Sequence, residues 1–288
     1  MANSQVACSK SDDTTQPPTV TKPTKPVNTD SLAVAKANWK WQVSTSGAEV
    51  GYAQINIFSS TQSISIVKYD PKNYDSGIYY QPASDASTTD VLAKRISAEL
   101  AVNGSYFDMT TKIAHTFFSY KHNIVSTSPL KELYRSNGVL AFNDEKGTEM
   151  TICQYDTTKL EHYRSDYYCA IASGPILMLN GVIPTLAMDK SFYNTRNPRT
   201  FIGADKAGKR YFIVVDGRFP GQGEGMAIDE LAIFAKYLGL VSAINLDGGG
   251  SSTLWTKDFG VMNYPSDNKL FDHFGLRVVP DIIFAKPK

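Results

Sequence analysis

Residues 243–253 read Ala-Ile-Asn-Leu-Asp-Gly-Gly-Gly-Ser-Ser-Thr, the densest concentration of potential chemistry in the chain. In an extended strand, residues two apart share a face, so Ile244 and Leu246 point one way while Asn245 and Asp247 point the other. A polar pair on an otherwise apolar strand needs partners or a task. Gly248, Gly249 and Gly250 then free the backbone to turn sharply. Successive N–H groups in such a turn form a nest for an anion, and the hydroxyls of Ser251 and Ser252 follow at once. The simpler alternative is a tight turn with Asp247 capping its own backbone. That suits a lone Asp-Gly better than a run of this length.

Three further segments carry candidate groups. Glu230 borders the apolar stripe Ala227, Leu231, Phe234 and Leu238 of a helical pattern. An inward carboxylate of this kind either serves a site or pairs with an Arg inside the fold. Arg199, in Arg196-Asn197-Pro198-Arg199-Thr200-Phe201-Ile202-Gly203, stands where a loop enters a strand, and its guanidinium suits bidentate recognition of phosphate or carboxylate. Asp216-Gly217-Arg218 ends a strand and opens a Gly-rich stretch through Gly221, Gly223 and Gly225, either a mobile lid or a long turn. That stretch is not a dinucleotide fingerprint, and Ser251 and Ser252 are not in a nucleophile elbow. The four histidines, His115, His122, His162 and His273, lack metal-ligand spacing, so no metal and no cofactor is expected.

These groups need a scaffold. Tyr52–Ile57 and Gln62–Val67 partly alternate as half-buried strands do. Ser87-Thr88-Thr89-Asp90 reads as a capping box before a helix running through Val91, Leu92, Arg95, Ile96, Glu99 and Leu100, and Ala101–Gly104 as a short strand ending in a turn. Arg210–Val215 reads as a strand, Gly225–Leu238 as a helix stopped by Gly239, and Val241–Leu246 as a strand. The order predicts an α+β domain, a mixed β-sheet with packed helices, over residues 31–288.

The 288 residues are ample for a core, and a net charge of +1 gives no reason to expect nucleic acid or an acidic membrane surface as partner. No apolar run reaches the roughly 18–20 residues of a membrane span. Residues 1–30 are rich in Ser, Thr, Lys and Pro and read as a disordered tether. Within it Val6-Ala7-Cys8-Ser9 resembles the end of a bacterial lipoprotein signal, without an apolar region before it. This suggests an exported protein of the cell envelope or outer surface, lipid-anchored at Cys8. Cys153 and Cys169 are either a disulfide, worth about 3 kcal/mol, or two free buried thiols.

Together these segments resemble the phosphodiester glycosidase domain family, in order over most of residues 95–285. Asn103-Gly104-Ser105-Tyr106-Phe107 is similar to the family's Asn-Gly-Gly-Phe-Phe, Ser173-Gly174-Pro175 to its Ser-Gly-Pro turn, and Arg199–Gly203 to its Arg-Thr-Ala-Ile-Gly. Asp216-Gly217-Arg218, Glu230-Leu231-Ala232, Asn245–Thr253, Pro265-Ser266-Asp267 and Arg277 complete the order, and the Asn-Leu-Asp-Gly-Gly-Gly run is the specific element. Two positions depart: Ser105 replaces a Gly, and Asn197 stands where bacterial relatives often carry His. The resemblance implies hydrolysis of a sugar C1–O–phosphate bond in a glycosyl-1-phosphodiester of an envelope or extracellular glycan. Glu230 and Asp247 are then the candidate carboxylates. Arg199, Arg277 and the Gly248–Gly250 backbone hold leaving-group charge, while Asn103, Gly104, Ser173, Gly174, Asp216, Asn245 and Ser251 bind or orient substrate. The rivals are an O-glycoside hydrolase acting on other glycans and a non-catalytic surface glycan-binding lipoprotein.

Overall fold

The computed structural model describes residues 28–288, so Cys8 and nearly all of the expected tether lie outside the described residues. The described body begins slightly earlier than the composition implies. Asn28 caps the helix Thr29–Lys36 by accepting the N–H groups of Asp30 and Ser31 at 3.0 and 3.2 Å.

The chain is predominantly β, with few and short helices, and its buried apolar residues form four clusters. A seven-stranded sheet has at its centre the strands Ser60–Tyr69, Arg210–Val215, Arg199–Asp205 and Leu240–Asn245, in that spatial order. Two five-stranded sheets cover one of its faces, and the helix Ile228–Tyr237 covers the other. Alternation along the strands explains this layering. Phe212 and Val214 join Ile202, Ile244 and Leu246 in the core shared with the five-stranded sheets. Tyr211, Ile213 and Val215 pack with Phe201, Ala243 and helix residues Leu231 and Phe234. With both faces covered, the central strands are apolar on both sides, which is why their sequences alternate so weakly.

The expected mixed sheet is not formed: every strand pairing described is antiparallel. The β-α-β order at Arg210–Asn245 does bring the chain back in the same direction. However, Arg199–Asp205 lies between the two strands and pairs antiparallel with both. The helix after Thr88 is also shorter than its pattern implies. It ends at Arg95, and Leu100 already belongs to the strand Leu100–Asn103, because the apolar residues beyond Ser97 are claimed by the sheet. Thr88 spends its hydroxyl on the Asp90 carboxylate at 2.6 Å rather than on a helix N–H. The Gly-rich stretch is a closed turn, not a lid: Phe219 and Gly223 exchange backbone hydrogen bonds of 3.0 and 2.8 Å. Cys153 and Cys169 are free thiols. They sit on strands separated by Gly138–Phe142, too far apart to bridge.

Candidate active site

Asp247 follows the strand Leu240–Asn245 directly, at the edge where the seven-stranded sheet meets the strand Leu100–Asn103 of a five-stranded one. Its own N–H donates to Gly104 O at 3.1 Å, and the preceding Leu246 N–H to Thr200 O at 2.8 Å. Asn103, fully buried, staples this junction. Its amide donates to Asp247 O at 2.7 Å, while its oxygen accepts from Thr200 Oγ1 and Thr253 N at 2.8 and 3.1 Å. Burial pushes the Asp247 carboxyl up to about 6, against the lowering influence of Ser251, Arg277, Arg135 and the Gly248 N–H. A second acid lies close by. Asp281 is buried and likewise pushed up to about 6, mainly by burial, with the charge of Asp247 adding to it. Its oxygens accept from Ser105 N at 2.8 Å and from Ser105 Oγ. A Cβ on Gly104 would lie 1.9 Å from Asp281 Oδ1, so only glycine lets this carboxylate close over the turn. Ser105, where the family pattern has Gly, thus holds Asp281 in place.

Two guanidinium groups, Arg277 and Arg135, act on Asp247, and two further arginines, Arg199 and Arg218, pack against the Gly248–Gly249 turn that follows it. Arg277 makes a bidentate pair with Asp267 at 2.7 and 2.8 Å and reaches Ser251 Oγ at 3.5 Å. A Cβ on Gly250 would strike that pair at 1.8 Å, which explains the glycine. Arg135 pairs with Glu132 at 2.6 Å and lies over the Tyr106 ring, 4.7 Å from its centroid. Arg199 and Arg218 are different: among the described residues neither has a carboxylate partner. Arg199 is buried and donates to the carbonyls of Met226, Phe192 and Thr195 at 2.8–3.0 Å. Its side chain stacks on Phe192, and desolvation lowers its pKa to about 10, with Arg218 contributing as a neighbouring positive charge. Arg218 is exposed, adopts a left-handed backbone (φ 72°) and makes only long contacts of 3.3 and 3.4 Å to Ser266 and Asn197. Two neighbouring arginines without a carboxylate repel one another unless an anion joins them.

Not every expected group reaches this cluster. Both Glu230 oxygens are occupied by Arg196, at 2.6–3.2 Å, and Oε2 also accepts the Ala227 N–H at 3.0 Å. Glu230 therefore fixes the start of its helix to the Arg196 loop and makes no contact with Asp247. Asp216 is buried and pushed up to about 7 by that burial, although it accepts from Ser63 Oγ, Asn263 Nδ2 and Tyr264 N at 2.6–3.1 Å. It braces the loops behind Arg218. The glycine nest is largely used internally, since Gly248 N–H donates to Asp247 Oδ1 and Gly249 N–H to Pro198 O. Ser173 Oγ donates to Asn245 O at 2.9 Å, and Gly174 O accepts from Tyr106 and Asn245 at 2.7 and 2.8 Å, so both serve as supports. Asn245 Oδ1, buried, meets no donor among the described residues.

Tyr106, Arg135, Arg218 and Asp281 were not singled out from the sequence. Arg218 and Tyr106 stand inside matched motifs and Asp281 opens a buried apolar strand, which are usable signals. Arg135 sits in a loop with none. A cavity of about 620 Å³, lined by Asn137, Cys153, Tyr155, Asp156 and His162 among others, does not include Asp247. Its acid–base contact is the exposed pair of Lys159 and Asp156, 3.6 Å apart. No group of three metal-ligating side chains occurs among the described residues.

The model of the phosphodiester glycosidase family matches residues 97–286, which encloses every group around Asp247. The chain belongs to this family. Over 77 residues, 27% of this chain, it is 36% identical to N-acetylglucosamine-1-phosphodiester alpha-N-acetylglucosaminidase of Mus musculus and 38% identical to that of Homo sapiens. The match spans only 14% of the length of either relative. Among solved structures, the fold resembles the zebrafish enzyme's catalytic domain auto-inhibited by its pro-peptide (TM-score 0.64, 20% identity, 87% of this chain and 88% of that one). It also resembles a hypothetical protein from Synechocystis (TM-score 0.68, 14% identity, 87% and 64%).

Proposed function

We propose that this chain hydrolyses the C1–O–phosphate bond of a glycosyl-1-phosphodiester. The observation that carries this reading is the pair Arg199 and Arg218, two neighbouring arginines without a carboxylate partner among the described residues, packed against the Gly248–Gly249 turn that follows Asp247. A phosphodiester fits both. Its phosphate takes the arginines, and the departing phosphomonoester is a weak base that needs charge stabilisation more than a proton. Asp247, ionised, takes a proton from the attacking water or adds to C1 itself. The C1–O bond breaks, and its electron pair leaves on the phosphate oxygen. Asp281 positions Ser105 and the Gly104 turn on which Asp247 hangs, and Arg135 and Arg277 keep Asp247 charged near neutral pH. Asn245, with an oxygen lacking a donor, suits a sugar hydroxyl. Within this reading Glu230 is a positioning residue.

The proposal also takes residues 31–288 as the catalytic unit and residues 1–30 as a tether that places it at the cell envelope, as the sequence around Cys8 suggests. The test is incubation with a panel of glycosyl-1-phosphodiesters and matched O-glycosides, with sugar and phosphomonoester products quantified. Release of phosphomonoester only from the phosphodiesters is expected. Cleavage of the O-glycosides alone would favour the glycosidase alternative, and no turnover at all would favour a glycan-binding protein.

A further inference from the structure

The loop that leads into Arg199 is enclosed from three sides. A Cβ on Gly217 would lie 2.4 Å from Pro198 N, one on Gly225 2.5 Å from Asn197 O, and one on Gly248 2.6 Å from Pro198 O. Three separate segments thus close on the Asn197–Pro198 backbone. Hydrogen bonds fix it further: Asn197 and Met226 exchange bonds of 3.4 and 3.2 Å, and the Gly249 N–H donates to Pro198 O at 2.9 Å. A main chain held this way restricts where the Asn197 side chain can point. It meets Arg218, whose Nη2 donates to Asn197 Oδ1 at 3.4 Å while Nη1 donates to Ser266 Oγ at 3.3 Å.

Arg218 needs such support. Its backbone is left-handed (φ 72°), a conformation that costs a non-glycine residue on the order of 1 kcal/mol and clusters at ligand clamps. Its side chain is exposed, and a free arginine there would keep its many rotamers. The guanidinium instead lies over the turn after Asp247, with Nη2 3.0 Å from where a Gly249 Cβ would be. Both acceptors that hold it are neutral. A carboxylate in either place would grip it more tightly but cancel its charge. An amide and a hydroxyl orient the group and leave the charge for an incoming anion.

We propose that Asn197 is a positioning residue for Arg218, its neutral amide aiming the guanidinium at the substrate's phosphate without neutralising it. This rests on the reading of Arg199 and Arg218 as a phosphate site, and not on which bond of the substrate breaks. The test is calorimetric titration of the full chain with inorganic phosphate, for the parent, Asn197→Ala, Asn197→Asp, Arg218→Ala and the double variant N197A/R218A. Asn197→Ala should weaken phosphate binding roughly threefold to tenfold, the worth of one hydrogen bond. The same substitution should change affinity less than about twofold when Arg218 is already alanine, because Asn197 acts through that arginine. Asn197→Asp keeps the acceptor and the shape but adds a charge. It should melt no lower than the parent and still bind phosphate at least about tenfold more weakly. This pattern in a chain that cleaves no glycosyl phosphodiester would uphold the positioning role and refute only the assigned reaction. Equal losses from Asn197→Ala with and without Arg218 would overturn the proposal, since Asn197 would then act independently of that arginine. Parent-like phosphate affinity in Asn197→Asp would overturn the need for a neutral group. Parent-like affinity in Arg218→Ala would remove the anion site and the proposal with it.

Discussion

Replacing Asp247 by Asn should make the protein a poorer catalyst and a more stable fold. Burial moves the carboxyl from 3.8 to about 6, so the folded state holds this proton on the order of a hundredfold more tightly than the unfolded chain, equivalent to about 3 kcal/mol. For an acid shifted upward, that stabilisation is fully present below the unfolded value and is lost as pH rises through the folded one. Near pH 8 the parent therefore carries an ionised carboxylate that the fold disfavours, whereas Asp247→Asn carries a neutral group of nearly the same shape that can still accept the Gly248 N–H. The variant should exceed the parent by up to about 3 kcal/mol at pH 8, a rise of about 6–12 °C in a domain of this size. The difference should shrink to near zero by pH 4. Turnover of a glycosyl phosphodiester should fall by roughly 10²–10⁴. Thermal melts from pH 4 to 8, paired with rates, provide the check. A variant no more stable than the parent at pH 8, or a difference independent of pH, would refute the desolvated-acid argument even if turnover fell.

The two unpartnered arginines should separate. Arg218→Ala should cost roughly 10²–10³ in turnover with an unchanged melting temperature. Arg199→Ala should lose both turnover and stability, because three carbonyls lose their donor; melting curves and rates on one substrate distinguish the cases. Glu230→Gln should leave turnover within a few-fold of the parent while lowering stability by about 1–2 kcal/mol, since it weakens a charged pair but keeps the Ala227 N–H bond. A thousandfold rate loss there would return Glu230 to the catalytic group. Gly104→Ala, whose Cβ falls 1.9 Å from Asp281, should destabilise by about 1–3 kcal/mol and reduce turnover together, read from the same two measurements.

The sequence shows clearly what is local and periodic. The strand Arg210–Val215 has the bounds its pattern predicts, and Ile244 and Leu246 share one core as period-two spacing requires. Asp247 and its glycines stand out because no apolar periodicity accounts for them. What the sequence hides is partnership at long range. Whether Glu230 serves chemistry or an ion pair depends on Arg196, which reaches it only once the loop folds back. Arg135 is an ordinary surface arginine until Tyr106 comes beneath it. The antiparallel pairing of the whole sheet follows from a strand inserted between two others, which element order alone does not reveal.

The staple formed by Asn103 has a consequence for how the protein wears out with heat. Its amide group, at the end of the central strand of one sheet, holds Thr200 of the other together with the peptides of Asp247 and Thr253. The N–H groups of Leu246, Asp247 and Thr253 are locked into this seam, so their exchange with deuterated solvent should require the sheets to separate, an event close to complete unfolding. Loss of activity on heating should therefore track global unfolding rather than precede it, and exchange of these three amides should slow or quicken in step with inactivation across stabilising and destabilising variants.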